Sequence, residues 1–192
     1  MKTQFRYAMS AICARPVVVT ITALACLCLF PGARADTQKP VLHGKHWVAI
    51  TGKPLAATAG ASMFMNGGNA VDAACAMLGA TSTMWDVLGW GGETQALIYN
   101  PHTKEVLGIN ALGVAPSGAT PEFFRDKGLD YPPEYGPLAA VTPGTPGGLM
   151  VMLAEYGSLS LAEVLAPAIE MAEGYPIEES AVRAIERHRD RI

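Results

Sequence analysis

Cysteine is scarce in this sequence. Four of the 192 residues are cysteines, and Cys13, Cys26 and Cys28 all lie in the first 35 positions. Cys75 is the single cysteine that follows them, so no disulfide can form within the rest of the chain. The sequence therefore falls outside the class of small exported domains that disulfides stabilise.

Apolar runs long enough to cross a bilayer are also missing. A spanning helix needs about 20 apolar residues, and the longest run here, Val17–Phe30, has 14 positions and contains two threonines. Basic residues precede this run and the small-x-small sequence Ala33-Arg34-Ala35 follows it, which is the pattern of a cleaved signal peptide. We predict that residues 1–35 are a signal peptide. The protein is then exported, periplasmic or secreted, with no membrane partner after cleavage.

Basic charge is deficient in the 157 residues that remain. They carry 10 Lys and Arg residues against 17 Asp and Glu residues, a net charge of −7. This balance argues against nucleic acid or an anionic membrane as a partner. Their length suits one hydrophobic core. We predict a flexible N-terminal segment over 36–45, followed by one region over 46–192.

Two familiar site patterns are absent as well, and a histidine pair is not expected to form a third. The sequence has no Gly-x-Ser-x-Gly elbow of a serine hydrolase. The glycine-rich stretch Thr142–Gly148 lacks the Lys-Ser/Thr pair of a phosphate-binding loop. His43 and His46 lie near the start of the mature chain, where we expect surface residues rather than metal ligands. We predict neither a metal nor an organic cofactor.

The most distinctive stretch that is present runs from Asn66 to Ala74. Its two glycines can end one helix in the left-handed conformation. Asn69 is then suited to cap the next helix, and Asp72 stands three residues later, where a carboxylate stabilises a helix N-terminus. The stretch predicts a tight junction between two helices, and Asp72 is interpreted as a cap rather than a catalytic acid.

Hydrophobic periodicity and turn residues predict a mixed α/β (α+β) fold. Five helices are predicted over 56–65, 70–80, 122–127, 149–155 and 178–192, and the second of them is expected to end at Thr81–Thr83. A further helix is predicted to begin at the Ser160–Glu163 capping box and to be interrupted by Pro167. The predicted strands are Trp47–Ile50, Gln95–Tyr99, Glu105–Asn110 and Ala139–Val141, of which the middle two form a hairpin.

Two further features have competing interpretations. Cys75 falls on the inner face of a predicted helix, which favours a small core residue over a nucleophile. The loop Gly89–Glu93 has three glycines in four positions. Such a cluster serves a tight turn or the close approach of a substrate equally well.

From about Ala49 to Val182, the order of motifs resembles the N-terminal part of the γ-glutamyltransferase (γ-glutamyltranspeptidase) family of N-terminal-nucleophile hydrolases. The matching landmarks, in chain order, are Gly67–Ala74, Gly89–Gly92, Ala115-Pro116, Thr142–Gly147, and Pro167–Gly174. Each landmark is weak alone, but five in order are specific.

The resemblance implies the N-terminal part of a four-layer αββα fold, made as a precursor and incomplete on its own. In that family a threonine opens the small subunit, and its hydroxyl attacks an amide carbonyl while its α-amine acts as base. This threonine lies in a part of the family that these residues do not match, so no catalytic residue is assigned here. The implied partners are a small-molecule amide and the catalytic small subunit or C-terminal half. The last predicted helix reaches Ile192 without a stop signal, which suggests a truncated region.

The resemblance also points to candidate substrate-binding residues: Gly91, Gly92, Glu93 and Leu112. Transferases of the family carry an arginine that holds the α-carboxylate of the substrate, and Leu112 falls in that slot, followed by Gly113 in place of a glutamate. A leucine cannot pair with a carboxylate. We therefore expect an amidase or acyltransferase whose substrate is not necessarily glutathione. The alternative is a non-catalytic binding or scaffold module built on the same fold.

Overall fold

The computed structural model describes residues 41–84 and 89–191. The chain divides into two compact units, 1–42 and 43–192, and the fold given below is that of the second. The predicted signal peptide and residues 36–40 of the predicted flexible segment lie outside the described residues. Within the described ranges, no helix combines the length and apolar character needed to cross a membrane.

Six α-helices and one two-stranded sheet make up the described part of the second unit. The helices are α1 (Pro54–Met65), α2 (Ala70–Thr83), α3 (Pro121–Asp126), α4 (Thr145–Tyr156), α5 (Leu161–Glu173) and α6 (Glu179–Arg187). Short 3-10 turns cover Pro137–Ala139 and Arg189–Arg191. The strands are β1 (Thr94–Asn100) and β2 (Glu105–Ala111). The predicted mixed helix and strand composition is confirmed.

The junction between α1 and α2 forms as its residues predict. Gly67 has a φ of 84° and ends α1 without a Cβ penalty. Asn69 caps α2, since its side chain accepts from the backbone N–H groups of Val71 and Asp72. The Asp72 carboxylate accepts in return from the Asn69 backbone N–H at 2.7 Å, which completes a capping box.

The hydrophobic core lies between α1, α2, α4 and α5. Its fully buried side chains include Met63 of α1, Cys75 of α2, Leu149 of α4 and Val164 of α5. Small residues let these helices approach closely: the Gly79 position of α2, for example, faces side chains of α5. Burial in a shared core is what makes these short helices stable.

The predicted hairpin is confirmed and is one residue longer at each outer end. Strands β1 and β2 pair antiparallel, from Thr94 opposite Ala111 to Asn100 opposite Glu105. Ile98 and Ile109 turn toward the helices and pack against the core. On the opposite face Leu97 is 80% exposed, so this sheet has one covered face and one open face.

Two predicted strands are wrong. Trp47–Ile50 has no strand partner in the described part of the chain and runs as irregular backbone. The Trp47 ring instead stacks on Phe64 of α1, with ring centroids 5.0 Å apart and planes 13° from parallel. Ala139 is the last residue of a 3-10 turn, and the two residues after it have no regular secondary structure. Strand propensity reflects how well a side chain packs on the pleated surface of a sheet, and neither segment lies on a sheet.

Helix boundaries differ from the predictions in several helices, by one or two residues in α1 and α3 and by more in the others. Helix α2 continues through Thr83, because packing in the core outweighs the poor propensity of its last turn. Helix α5 runs through Pro167 without interruption. Helix α4 begins at Thr145 instead of 149, since Pro146 fits the first turn of a helix. The predicted helix 178–192 is α6 followed by a 3-10 turn, and Ile192 lies outside the described residues.

Candidate functional site

The open end of the hairpin consists of Gly92–Thr94 and Ala111–Gly113, and we call these two segments the hairpin end. A third segment, the N-terminus of α4, packs against it. The Gly92 carbonyl accepts hydrogen bonds from the backbone N–H groups of Gly144 and Thr145, both at 3.1 Å. The Thr94 hydroxyl donates to the Thr145 hydroxyl at 3.0 Å, and both side chains are buried. The hairpin end is thereby fixed to α4.

The backbones at the hairpin end approach too closely for side chains. A Cβ at Gly144 would lie 2.1 Å from the carbonyl oxygen of Ala111, and one at Gly113 would lie 2.0 Å from that of Thr142. Real Cβ atoms do not come this close to backbone. Gly113 and Gly144 are therefore required by the contact itself.

The structure brings three of the four predicted binding residues to this end of the hairpin. Thr94 and Ala111 are register partners, so Glu93 and Leu112 leave the same end of the sheet. Both are exposed, Leu112 by 41%. Gly92 contributes its carbonyl to the scaffold. Gly91 is exposed, and a Cβ there would meet open space, so no contact of its own requires glycine at that position.

A second polar centre lies at the start of α2, where Asp72 joins distant parts of the chain. Its buried carboxylate accepts from Ser158 N–H at 2.9 Å, from the Ser158 hydroxyl at 2.6 Å and from Leu159 N–H at 3.1 Å, besides the cap bond from Asn69. We call this set the Asp72 junction. Burial acts to raise the pKa of the Asp72 carboxyl, but the hydrogen bonds from Ser158, Asn69 and Leu159 outweigh it and lower the pKa below the ordinary value of 3.8. A carboxylate held in this way is a structural anchor and not a proton donor.

Cys75 is buried in the core, as predicted from its place on α2. Burial, and then the negative charge of Asp72, raise the pKa of its thiol to about 12. The thiol stays protonated at neutral pH, and its Sγ lies 3.9 Å from the Leu149 carbonyl oxygen. It is a core residue and not a nucleophile.

The histidines set aside in the sequence analysis are exposed. These are His43, His46, His102 and His188. The described residues contain no group of three or more His, Cys, Asp or Glu side chains that could hold a metal ion. Neither Asp72 nor Cys75 is suited to covalent or proton-transfer chemistry, and the hairpin end holds three of the four predicted binding residues.

Comparison with known proteins decides the family. A protein-family model described as gamma-glutamyltranspeptidase matches residues 56–192, which is more than half of the chain. The chain belongs to the gamma-glutamyltranspeptidase family. The family predicted from the ordered motifs is thus confirmed.

The relatives carry different names within this family. The chain is 34% identical over 170 residues to the glutathione hydrolase proenzyme of Bacillus subtilis (strain 168), covering 84% of this chain and 29% of the relative. It is 36% identical over 150 residues to the acylase ACY 1 proenzyme of Pseudomonas sp. (strain SE83), covering 71% of this chain and 26% of the relative. The crystal structure of Helicobacter pylori gamma-glutamyltranspeptidase is similar with a TM-score of 0.72 at 32% identity, covering 79% of this chain and 45% of that one.

These overlaps also describe how much of the fold is present. The chain spans less than a third of the length of the curated relatives it matches and under half of the Helicobacter pylori chain. Its fold is part of the gamma-glutamyltranspeptidase fold of N-terminal-nucleophile hydrolases, as the motifs predicted.

Sequence reasoning missed several residues that build this part of the family fold. Thr94 and Thr145 pair across 51 positions, and Ser158 binds Asp72 across 86. The close approach of Gly144 to Ala111 was not predicted either. The available signal was the concentration of small residues in Thr142–Gly148, which marks close backbone approach but does not identify the partner.

Proposed function

We propose that this chain is the N-terminal part of an exported γ-glutamyltransferase-like amidase or acyltransferase. The observation that carries the proposal is the family match over residues 56–192. The chain contributes the packed helices and the hairpin end. The nucleophile belongs to a catalytic C-terminal half, matching the part of the relatives that these residues do not span.

The proposed reaction has two steps through a threonine ester. The threonine hydroxyl attacks the carbonyl carbon of a γ-glutamyl or related amide, and the α-amine of that threonine takes the hydroxyl proton. The amine leaving group departs with a proton, and the acyl group remains on the threonine oxygen. Water or the amine of an amino acid then attacks the ester, which releases the acyl group and restores the hydroxyl.

The hairpin end supports a substrate whose acyl group is not held by an arginine–carboxylate pair. Leu112 is apolar and exposed at this place, and the exposed carboxylate of Glu93 leaves the sheet at the same end. A leucine offers no donor to an α-carboxylate. We therefore propose an amide whose acyl group lacks a free α-carboxylate, in preference to a γ-glutamyl amide.

The test uses the complete reading frame that contains these residues. We expect turnover of an anilide whose acyl group lacks an α-carboxylate and poor turnover of the γ-glutamyl anilide. Leu112→Arg should lower KM for the γ-glutamyl anilide about tenfold, since a hydrogen bond to a charged group contributes about 1.5 kcal/mol or more. The matched control is Val114→Arg, also at an exposed position two residues further along.

Two outcomes would contradict different parts of this proposal. Rapid turnover of the γ-glutamyl anilide by the unmodified protein, with no effect of Leu112→Arg, would refute the role given to Leu112. Absence of amide cleavage for both anilides, together with cooperative melting of residues 36–192 expressed alone, would favour the non-catalytic binding or scaffold module instead.

Export is a separate part of the proposal and rests on the pattern of residues 1–35. We expect the periplasmic fraction or the culture medium to contain protein that begins at Asp36, identified by N-terminal sequencing. Replacing Leu24 with Arg in the apolar run should keep the protein inside the cell. Intracellular unmodified protein that still begins at the first residues would contradict export.

A further inference from the structure

Four exposed side chains lie together where the hairpin opens, and we call them the open-end cluster. They are Glu93, Gln95, Asn110 and Leu112. Gln95 pairs with Asn110 in the strand register, and the other two residues lie further out on the same two strands. Thr94 and Ala111, which lie between them in sequence, pack against α4. Because successive side chains of a strand alternate between its two faces, the cluster lies on the open face of the hairpin.

The backbone on both sides of Glu93 is fixed by hydrogen bonds. The Gly92 N–H donates to the Gly89 carbonyl at 2.8 Å, and the Gly92 carbonyl accepts from two N–H groups of α4. On the other side, the buried Thr94 hydroxyl donates to Thr145 at 3.0 Å. A side chain on a fixed backbone loses less freedom when it binds a ligand. Glu93 is therefore presented to the open face by a rigid support.

Leu112 is oriented by its neighbour in the cluster. The Asn110 side-chain oxygen accepts from the Leu112 backbone N–H at 3.3 Å, which forms an Asx-type turn just after β2. The amide group of Asn110 keeps its two N–H donors for other partners, and the Gln95 amide offers both donors and an acceptor. The cluster thus combines two neutral amides, one apolar side chain and one carboxylate.

The Glu93 carboxylate is the single charge of the open-end cluster. Among residues 41–84 and 89–191, the recorded ion pairs use Glu122, Glu178 and Glu179, and none of them involves Glu93. The cluster itself contains no basic residue. A ligand with complementary charge at this place is a cation, and one that also contacts Leu112 carries its positive charge on an apolar chain.

We propose that Glu93 makes the enzyme specific for amides whose acyl group carries a cationic group, such as a primary ammonium, and no carboxylate. This inference rests on the proposed function and defines its substrate more closely. The ammonium donates charge-assisted hydrogen bonds to the Glu93 carboxylate. The Gln95 amide oxygen accepts a further N–H, and Leu112 packs on the methylene chain of the acyl group.

The cation belongs to the acyl group rather than to the leaving amine. Leu112 falls at the position from which transferases of the family hold the α-carboxylate of the substrate, and Glu93 leaves the sheet at the same end. A cation held by Glu93 beside Leu112 is therefore on the same side of the scissile bond as that carboxylate.

The test uses the complete reading frame that contains these residues, with water as the acceptor, and compares three anilides. The γ-aminobutyryl anilide carries the ammonium without a carboxylate. The pentanoyl anilide has the same length and ends in a methyl group. The γ-glutamyl anilide adds an α-carboxylate to the first. The variant is Glu93→Gln, which removes the charge and keeps the shape. Glu105→Gln, at an exposed position at the other end of the hairpin, is the matched control.

The unmodified enzyme should have a kcat/KM at least tenfold higher for the γ-aminobutyryl anilide than for the pentanoyl anilide, mainly through KM, since charge-assisted hydrogen bonds of this kind change affinity by about that factor. Glu93→Gln should bring this ratio to about one, and Glu93→Lys should reverse it. Glu105→Gln should leave the ratio unchanged. Added salt should lower the ratio, because it screens an accessible charge pair. A general loss of stability would lower both rates together and leave their ratio as it was.

Two results would overturn the inference and leave the proposed function standing. One is equal turnover of the γ-aminobutyryl and pentanoyl anilides by the unmodified enzyme, which is expected if the C-terminal half already neutralises Glu93. The other is a preference for the γ-aminobutyryl anilide that survives Glu93→Gln. Cleavage of the γ-glutamyl anilide alone would overturn the inference together with the role given to Leu112. If none of the three anilides is cleaved, the proposed amidase activity fails, and this inference fails with it.

Discussion

The Asp72 junction and the hairpin differ in how completely the chain surrounds them. At the junction, one buried carboxylate accepts four hydrogen bonds and joins the start of α2 to the segment before α5. The hairpin is anchored at its open end and packs on α4 with one face. Its other face exposes Leu97, Tyr99 and Val106 by 61% to 80%.

This difference separates what the chain completes by itself from what it leaves for a partner. A buried charge is tolerated only when its hydrogen bonds are made, and the chain supplies all four donors to Asp72. An open sheet face and an open strand edge are surfaces that proteins normally cover. The Asp72 junction is therefore complete within this chain, and the open hairpin is a place where further polypeptide is expected.

Removing the Asp72 carboxylate should have the largest effect on stability. Asp72→Ala leaves donors of Asn69, Ser158 and Leu159 without an acceptor in a buried place, and we expect a loss of about 4 kcal/mol in the free energy of unfolding. Urea denaturation followed by circular dichroism measures this loss. Glu186→Ala, at an exposed position of α6, is the control. A loss below about 1 kcal/mol would show that the junction does not hold the helices together.

Widening the hairpin end should be the next most damaging change. Gly144→Ala places a Cβ 2.1 Å from the Ala111 carbonyl oxygen, and we expect a loss of about 3 kcal/mol because backbone must move. Gly91→Ala is the matched control, since a Cβ there meets open space. Thermal melting of the two variants should differ by several degrees. Equal melting temperatures would mean that the close contact of α4 with the hairpin end is not maintained in solution.

Low pH should weaken the Asp72 junction. Although burial opposes it, the hydrogen bonds to Asp72 lower the pKa of its carboxyl in the folded state below 3.8. The unfolded chain therefore binds this proton more tightly, so the stabilisation is complete at neutral pH and is lost as the pH falls below about 4 through the folded pKa. Urea midpoints from pH 7 to pH 3 should fall less steeply for Asp72→Asn than for the unmodified chain. Identical pH profiles would contradict the linkage.

Local chemistry explains which parts of this fold the sequence predicts. The capping box at Ser160–Glu163 was predicted and forms. At Asn69 and Asp72 the cap and the carboxylate three residues later were predicted, and the structure joins them in a second capping box. The hairpin follows from alternation and a turn close at hand in sequence. These features depend on neighbours, so one sequence suffices to find them.

The unpredicted features depend on partners that are far away in the chain. Thr94 meets Thr145 across 51 residues, and Ser158 meets Asp72 across 86. Hydroxyl groups and glycines are common in loops, so nothing local marks these particular ones. Trp47–Ile50 failed for the same reason, since a strand needs a partner that its own residues do not specify. Exposure of Glu93 and Leu112 at one end of the hairpin became evident only from the register.

A substitution on the open face of the hairpin should have the smallest effect on stability, and a small effect would show that this face is not covered in the chain alone. Leu97 is 80% exposed, so Leu97→Lys should change the free energy of unfolding of this chain by no more than about 0.5 kcal/mol. It should also reduce the binding of a hydrophobic dye, because it removes part of the exposed apolar face. Ile98→Lys, one residue further along on the covered face, is the control and should be strongly destabilising because it buries a charge among apolar neighbours. If Leu97→Lys were as damaging as Ile98→Lys, the outer face would already be covered in this chain, and the contrast between the satisfied Asp72 junction and the open hairpin would fail.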